Sequence, residues 1–409
     1  MLYDLFMARD TAAELLIRAG SQDVALIEGV LRGPVLHRPS RVVVDAHVAV
    51  KSPRIAVAAA KAGAPFLVDP QTHLLQDYQH PADPWAQLSY ARPETSTPAD
   101  LLRPGVADNL AAGAIQHQLQ HGATMLIAPY VNVGRRDDGW RDVQTALWKA
   151  ARRYLDQANV RLPVAALLAL SWPLLDRATW QDTLDPLTTE LINLNASEVM
   201  LAASRVDAGT TPDRRLAAMA AVLGRLAPRH PVLVWQQGVL GPAAVAAGAT
   251  GYESGIGWRE RCDLPGTAAQ HRKANPGGAA RPVYITTLQR SMPKPSLRAL
   301  HGNPRLIAEL TCLDPSCCPN GRRDLLNDMR AHAITSRLAA LRDLTAPAQP
   351  AWRWHHLARL AREGIDLAHS INTYAASTRG VSHINLAALQ ATLNLADHRR
   401  QTLRRLAAA

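Results

Sequence analysis

Three of the chain's four cysteines stand within seven residues, in the stretch AELTCLDPSCCPNGRRD (308–324). Cys312, Cys317 and Cys318 offer three thiolates. Zinc takes four ligands in tetrahedral array, mostly thiolate and imidazole. The nearest downstream imidazole is His332, which completes a C-x4-C-C-x13-H pattern. Adjacent cysteines also leave open a redox-active pair or three small buried residues. The place of the cluster after the last apolar run and before a His-bearing helix makes zinc held by Cys312, Cys317, Cys318 and His332 the leading reading, with a structural role.

A second set of reactive side chains closes a series of apolar runs. Asp45 and His47 end RVVVDAHVAV (41–50), and Asp69, Gln71 and His73 end APFLVDPQTH (64–73). Gln236 and Gln237 lie in HPVLVWQQGVL (230–240), and Glu253 in GATGYESGIGW (248–258), followed by Arg259. Two carboxylates facing one site can act as nucleophile and general acid/base. Asp69 and Glu253 form the best pair, with Asp45 in reserve. His47, Gln71, His73, Gln236, Gln237, Tyr252, Trp258 and Arg259 are the candidate substrate contacts. Asp45, His47, Asp69 and His73 could instead hold a catalytic metal. The paired histidines usual on a first strand of that kind are absent, because position 45 is Asp.

These residues need a scaffold that gathers strand ends on one face. Eight apolar runs recur between residues 41 and 291, separated by Ala/Leu/Arg-rich stretches of helical character. The runs are continuously apolar rather than alternating, as in buried parallel strands. SPRIAVAAAKAGA opens on a Ser cap and ends at Gly63, and TPDRRLAAMAAVLGRLA opens on Thr-Pro. Eight strand–helix units predict an α/β protein of the (β/α)8 TIM-barrel type, whose chemistry sits at the C-terminal strand ends. An open doubly wound sheet is the competitor, but no glycine-rich fingerprint follows the first strand.

The expected organisation is a helical lead-in over 1–36, the barrel over 37–311, a cysteine-containing zinc subdomain over 312–344 and a helical C-terminal extension over 351–409. Residues 74–100 form a long Pro/Asp/Gln-rich insertion of the kind that serves as a lid. Residues 264–281 form a polar excursion before the eighth run.

The chain has 409 residues, 47% of them hydrophobic, which excludes wholesale disorder. Aromatics are only 5%, so the core must rest on Ala, Leu and Val. The uncharged apolar run 162–175 holds two prolines and is too short to span a bilayer. The N-terminus lacks a secretory pattern, which predicts a cytoplasmic protein without a membrane partner. A net charge of +11 suits a polyanion partner or a solvated Arg-rich surface equally.

The placing of the cysteines after the last apolar run, and before a His-bearing helix, resembles the tRNA-guanine transglycosylase superfamily. That superfamily includes enzymes that insert 7-deazaguanine bases into tRNA, and DNA-acting relatives. GATGYESGIGWR (248–259) matches its nucleophile segment at Gly248, Tyr252 and Arg259, with Glu253 where the family has aspartate. FLVDPQTH places Asp69 after an apolar strand, without the family's Ser-Gly-Gly. The cysteine spacing also departs from the family's C-x-C-x2-C. The resemblance implies a glycosyltransferase exchanging a purine or 7-deazapurine base in tRNA or DNA, with a homodimer as one assembly open to it. A metal-assisted small-molecule hydrolase or lyase, and a non-catalytic nucleic-acid-binding barrel, are the alternatives.

Overall fold

A computed structural model describes residues 13–273, 281–347 and 349–408. Eight parallel strands form one sheet: β1 (Glu14–Ala19), β2 (Arg41–Asp45), β3 (Phe66–Asp69), β4 (Leu126–Ile127), β5 (Val164–Ser171), β6 (Glu198–Ser204), β7 (Val232–Val234) and β8 (Gly251–Gly255). Their order is β3-β2-β1-β8-β7-β6-β5-β4. The two ends of that series meet, since the Thr124 N–H donates to the Phe66 carbonyl (2.9 Å) and Phe66 N–H to Thr124 Oγ1 (2.8 Å). The sheet is a (β/α)8 barrel, as expected.

The strand count is right but its frame is shifted by one. Residues 14–19, read as part of a helical lead-in, are the first barrel strand, paired with both β2 and β8. The run read as the eighth strand is a separate antiparallel hairpin, β9 (Val283–Ile285) with β10 (Arg290–Met292). The barrel therefore begins before residue 37. Residues 1–12 of the lead-in and 274–280 of the polar excursion lie outside the described residues.

A helix follows each strand: α1 (Val24–Arg32), α2 (Arg54–Ala62), α3 (Val106–Gln120), α4 (Trp140–Gln157), α5 (Leu184–Leu194), α6 (Pro212–Leu226), α7 (Gly241–Ala246) and α8 (Met329–Thr345). On α4, Val143, Leu147, Ala151 and Leu155 recur at four-residue spacing, and all are buried against the sheet. α2 stops at Gly63, whose φ of 64° closes the helix in the left-handed region. The expected Ser52 cap makes no capping hydrogen bond there. α8 carries His332 and packs against β1 and α1. The cysteine segment is thus an insertion between β8 and its own barrel helix. Two long helices, α9 (Pro350–Ala375) and α10 (Ala387–Ala408), pack on each other, and α10 lies against α6.

Strand parity sorts the core into two layers. Leu15, Ile17, Val42, Val44, Phe66 and Val68 face the helices, while Leu16, Val43, Leu67, Leu167, Met200 and Leu233 fill the barrel. Below them Arg41 bridges Glu14 and Glu198, each at 2.7 Å, and plugs the N-terminal end. Two residues further along the same inward columns come Arg18, Asp45, Asp69, Trp235 and Glu253.

Gly251 lets β8 and β1 approach, for a Cβ there would lie 2.3 Å from the Glu14 carbonyl oxygen. Gly251→Ala is expected to cost about 1–3 kcal/mol through this overpacking, read as a lowered urea midpoint with an unchanged slope.

Candidate active site and metal centre

The strand register sets Asp45 directly opposite Asp69 on neighbouring strands. Like charges so placed repel. Arg18, 5% exposed, resolves this by reaching up between them from β1. Its Nη1 bonds the Asp45 carboxylate and lies 3.0 Å from Asp69 Oδ2, while its Nε donates to Glu253 Oε1 at 3.0 Å. The Trp235 ring supports the guanidinium from below at 4.8 Å. One cation therefore gathers three carboxylates from three strands.

Further donors hold each carboxylate. Glu253 Oε2 accepts the Gln236 N–H (2.9 Å). Asp69 Oδ1 accepts the Gln71 N–H (2.9 Å) and the Tyr130 hydroxyl (3.0 Å). Asp45 accepts from Arg259 Nη1 at 2.5 Å. Gln71, Gln236 and Arg259 all adopt positive φ, between 51° and 54°, in the loops that follow strands β3, β7 and β8. Such backbone in non-glycine residues costs energy and collects at functional sites.

The environments separate the three carboxyls. Burial alone would raise Asp45, yet Arg259 and Arg18 hold it well below the usual carboxylate range. Burial raises Asp69 and Glu253, and Arg18 offsets that only in part. Both are 0% exposed. Three carboxylates face two guanidinium groups, so a proton on Asp69 or Glu253 brings the cluster to neutrality. Divergent pKa values among neighbouring carboxyls are the pattern of acid/base sites.

Around this cluster sit buried polar atoms that have no partner among the described residues. They are Arg18 Nη2, both amide atoms of Gln71, both ring nitrogens of His73, His47 Nδ1 and Gln236 Oε1. Burial, with His271, Arg259 and Arg18 nearby, pushes His73 down to about 3, so its ring is neutral at pH 7. It stacks on Tyr130 with centroids 5.3 Å apart. Unpaired buried polar groups are costly, and in a cleft they mark the place of a ligand.

A cavity of about 940 Å³ opens over β1, β2 and β8, lined by Arg18, Asp45, His47, Trp258 and Arg259 among others. Trp258 is 44% exposed at its rim. Over Asp69 and His73 the mouth is closed. Trp85 Nε1 (3.1 Å) and the Tyr90 hydroxyl (2.8 Å) donate to the Pro70 carbonyl, and Arg272 and His271 bond Asp77 and Asp83. The 74–100 insertion does cover the strand ends.

Two expectations are corrected. Tyr252 precedes Glu253 on β8, so it faces the helices and packs in the outer layer beside Gly241, away from the mouth. Gln237 reaches the mouth, but its amide donates to the Ala203 carbonyl (2.8 Å) and so braces β6. Nor do Asp45, His47, Asp69 and His73 form a metal-ligand group among the described residues. The Arg18 guanidinium fills the space between the acids. Arg18 itself is the member of this cluster that sequence reading misses. The available signal was an arginine two places beyond Leu16 in the otherwise apolar stretch LLIRA (15–19).

The four expected metal ligands do come together. Donor atoms of Cys312, Cys317, Cys318 and His332 lie within 4.8 Å of one another. Cys317 Sγ and Cys318 Sγ are 3.2 and 3.4 Å from His332 Nδ1, and 3.9 Å apart. A zinc ion bonded at about 2.3 Å to sulfur and about 2.0 Å to nitrogen spaces its ligands roughly 3.5–3.8 Å apart. His332 Nε2 donates to the Tyr284 carbonyl (3.0 Å), which turns the Nδ1 lone pair toward the sulfurs. Asp314 folds the loop, accepting the Cys317 and Cys318 N–H groups on its carbonyl. Burial and the Cys312 thiol push Cys318 up to about 12, so the thiolates need a cation to form together. The donor set fits a metal.

No family model matches the chain, and no curated protein matches it. Among solved structures it is similar to thiamine phosphate pyrophosphorylase from Pyrococcus furiosus, at 12% identity over 64% of this chain and 95% of that one, with a TM-score of 0.29. It is also similar to the carboxyl transferase domain of Rhizobium etli pyruvate carboxylase, at 12% identity over 96% of this chain and 78% of that one, with a TM-score of 0.36. At these values the barrel assignment rests on the strand order and register themselves.

Arg18→Met leaves the buried carboxyls of Asp69 and Glu253 without a cation and is expected to cost about 3–5 kcal/mol at pH 7. Without the cation Asp69 and Glu253 titrate still higher. A raised folded-state pKa gives stability that is present at low pH and lost as pH rises through it. Urea unfolding should therefore show a larger deficit at pH 8 than at pH 5.

Proposed function

We propose that the barrel mouth is a glycosyl-transfer site that exchanges a purine-type base on a nucleic acid, with Glu253 as nucleophile and Asp69 as general acid/base. The observation that carries this reading is the Asp69–Glu253 pair held on one buried guanidinium beside unpaired amides. Two legs of 3.0 Å across that guanidinium keep the pair within roughly 8 Å of each other. Carboxylate pairs that cleave glycosidic bonds stand about 5–9.5 Å apart.

Glu253 would attack the anomeric carbon as the bond to the base breaks, and the departing ring nitrogen would take the Asp69 proton. The ester so formed would be resolved by an incoming base, whose N–H proton returns to Asp69 while the Glu253 carboxylate leaves. Asp45, ionised throughout, holds Arg18 and Arg259 in place. Gln71, Gln236 and neutral His73 would meet the edge of the base, and Trp258 at the rim would stack on a flipped nucleotide. Arg323, Arg404 and Arg405 are exposed, and no ion pair involving them occurs among the described residues, which suits phosphate contact. The resemblance to the tRNA-guanine transglycosylase superfamily supports the same assignment of Glu253.

A reaction on a small molecule is the second reading. The closure of the mouth over Asp69 and His73 favours it, since a flipped nucleotide needs a wider opening. The test is adduct trapping. Incubation with tRNA or duplex DNA and a competing base should yield a covalent species resistant to denaturation, absent in Glu253→Gln. An adduct with neither polymer, but with a free nucleoside, would favour the small-molecule reading.

We assign the Cys3His group to structural zinc. Elemental analysis should find a single zinc per chain, absent in Cys317→Ser and retained in Glu253→Gln. Equal metal content in Cys317→Ser and wild type would remove this assignment.

A further inference from the structure

Arg337 lies on α8, five residues beyond His332, and is 1% exposed. It belongs to neither the carboxylate cluster nor the ligand set. Burying a guanidinium this deeply is costly unless its partners are well placed. Its Nη1 donates to the Gly238 carbonyl (2.6 Å) and its Nη2 to Glu260 Oε1 (2.7 Å). Gly238 follows Gln236 and Gln237 in the loop after β7, and Glu260 follows Arg259 in the loop after β8. The Val239 N–H donates to the Glu260 carbonyl (3.2 Å), so the two loops are also joined directly.

The other side of Arg337 meets the metal centre's support. Its guanidinium lies 3.9 Å over the Tyr284 ring. The carbonyl of that same Tyr284 accepts the His332 Nε2–H. Ser291, on the other strand of the hairpin, donates to Glu260 Oε1 at 2.8 Å. His332, Tyr284, Arg337, Glu260 and Gly238 thus form one chain of direct contacts, from the cysteine cluster to the residues beside Arg259 and Gln237.

We propose that Arg337 is a positioning residue that transmits the metal-loaded state of the Cys3His cluster to the β7 and β8 loops at the barrel mouth. This rests on the cluster holding zinc. Metal fixes His332, His332 fixes Tyr284, and Tyr284 with α8 fixes the guanidinium on which both loops hang. Loss of the metal frees the hairpin and α8 to shift, and the carbonyl of Gly238 and carboxylate of Glu260 then lose their common donor. The consequence is local loosening of 236–240 and 258–261, with the distant barrel strands unaffected.

Amide hydrogen exchange on the full chain reads this without any substrate. Chelating the zinc from wild type is expected to speed exchange about tenfold or more in 236–240 and 258–261, with β5 and β6 unchanged. Arg337→Met, purified with its zinc measured in place, should show that faster exchange already, with little added by chelation. Arg337→Lys should restore part of the protection. Should Arg337→Met not fold, Glu260→Gln, which weakens the same contact, takes its place, with the same direction expected and a smaller effect. Unchanged loop exchange after zinc removal, or slow loop exchange in zinc-loaded Arg337→Met, would overturn the proposal. Absence of zinc from freshly purified and zinc-supplemented protein would instead overturn the cluster assignment beneath it, and metal analysis reads that outcome separately.

Discussion

The contact on which the site depends is the Arg18 guanidinium between Asp45, Asp69 and Glu253. Parallel pairing places Asp45 beside Asp69, and inward parity turns Glu253 into the barrel from β8, on the other side of β1. Three carboxylates in a dry barrel cannot ionise together without a cation among them. A guanidinium suits that place because its donors diverge in one plane and reach several carboxylates at once, which a lysine ammonium cannot do with fixed direction. Replacing it would reshape the mouth, shift its protons and unbalance the barrel in one step.

A second constraint is how the barrel closes. The chain does not pass directly from β8 to its helix. It runs first through the hairpin and the cysteine loop, with a small core of its own in which Val283, Ile285, Met292, Leu306 and Leu325 meet Leu367 and Ile371 of α9. Only then does α8 return to cover β1. The helix that completes the barrel therefore also carries His332 and Arg337. Support and candidate site share one element, and the cysteines sit behind the mouth without facing it.

Much of this was legible in residue order. Continuous apolar runs identified seven of the eight barrel strands, and the rule that barrel chemistry sits at strand ends picked out Asp69, Asp45 and Glu253. Cysteine and histidine chemistry identified all four members of the Cys3His cluster. The misses have physical causes. TAAELLIRAG is built from Ala, Glu and Leu, strong helix formers, and only pairing with β2 and β8 overrides that preference. RPVYITTLQRS has strand composition, and composition cannot say whether a strand joins a barrel or folds back as a hairpin. Tyr252 was misplaced for want of parity alone, since a residue next to an inward Glu253 must face outward.

Residue types and their spacing determined the fold class, the carboxylate pair and the Cys3His cluster, because periodicity and coordination chemistry are local properties that survive in one dimension. Tertiary structure decided the rest. It moved the barrel's first strand to residues 14–19, brought Arg18 within reach of acids from β2, β3 and β8, and set the cysteine cluster behind the mouth. These depend on strand register and on contacts between residues more than two hundred apart, such as Arg18 with Glu253. No local pattern encodes such pairings, since they exist only once the sheet has closed.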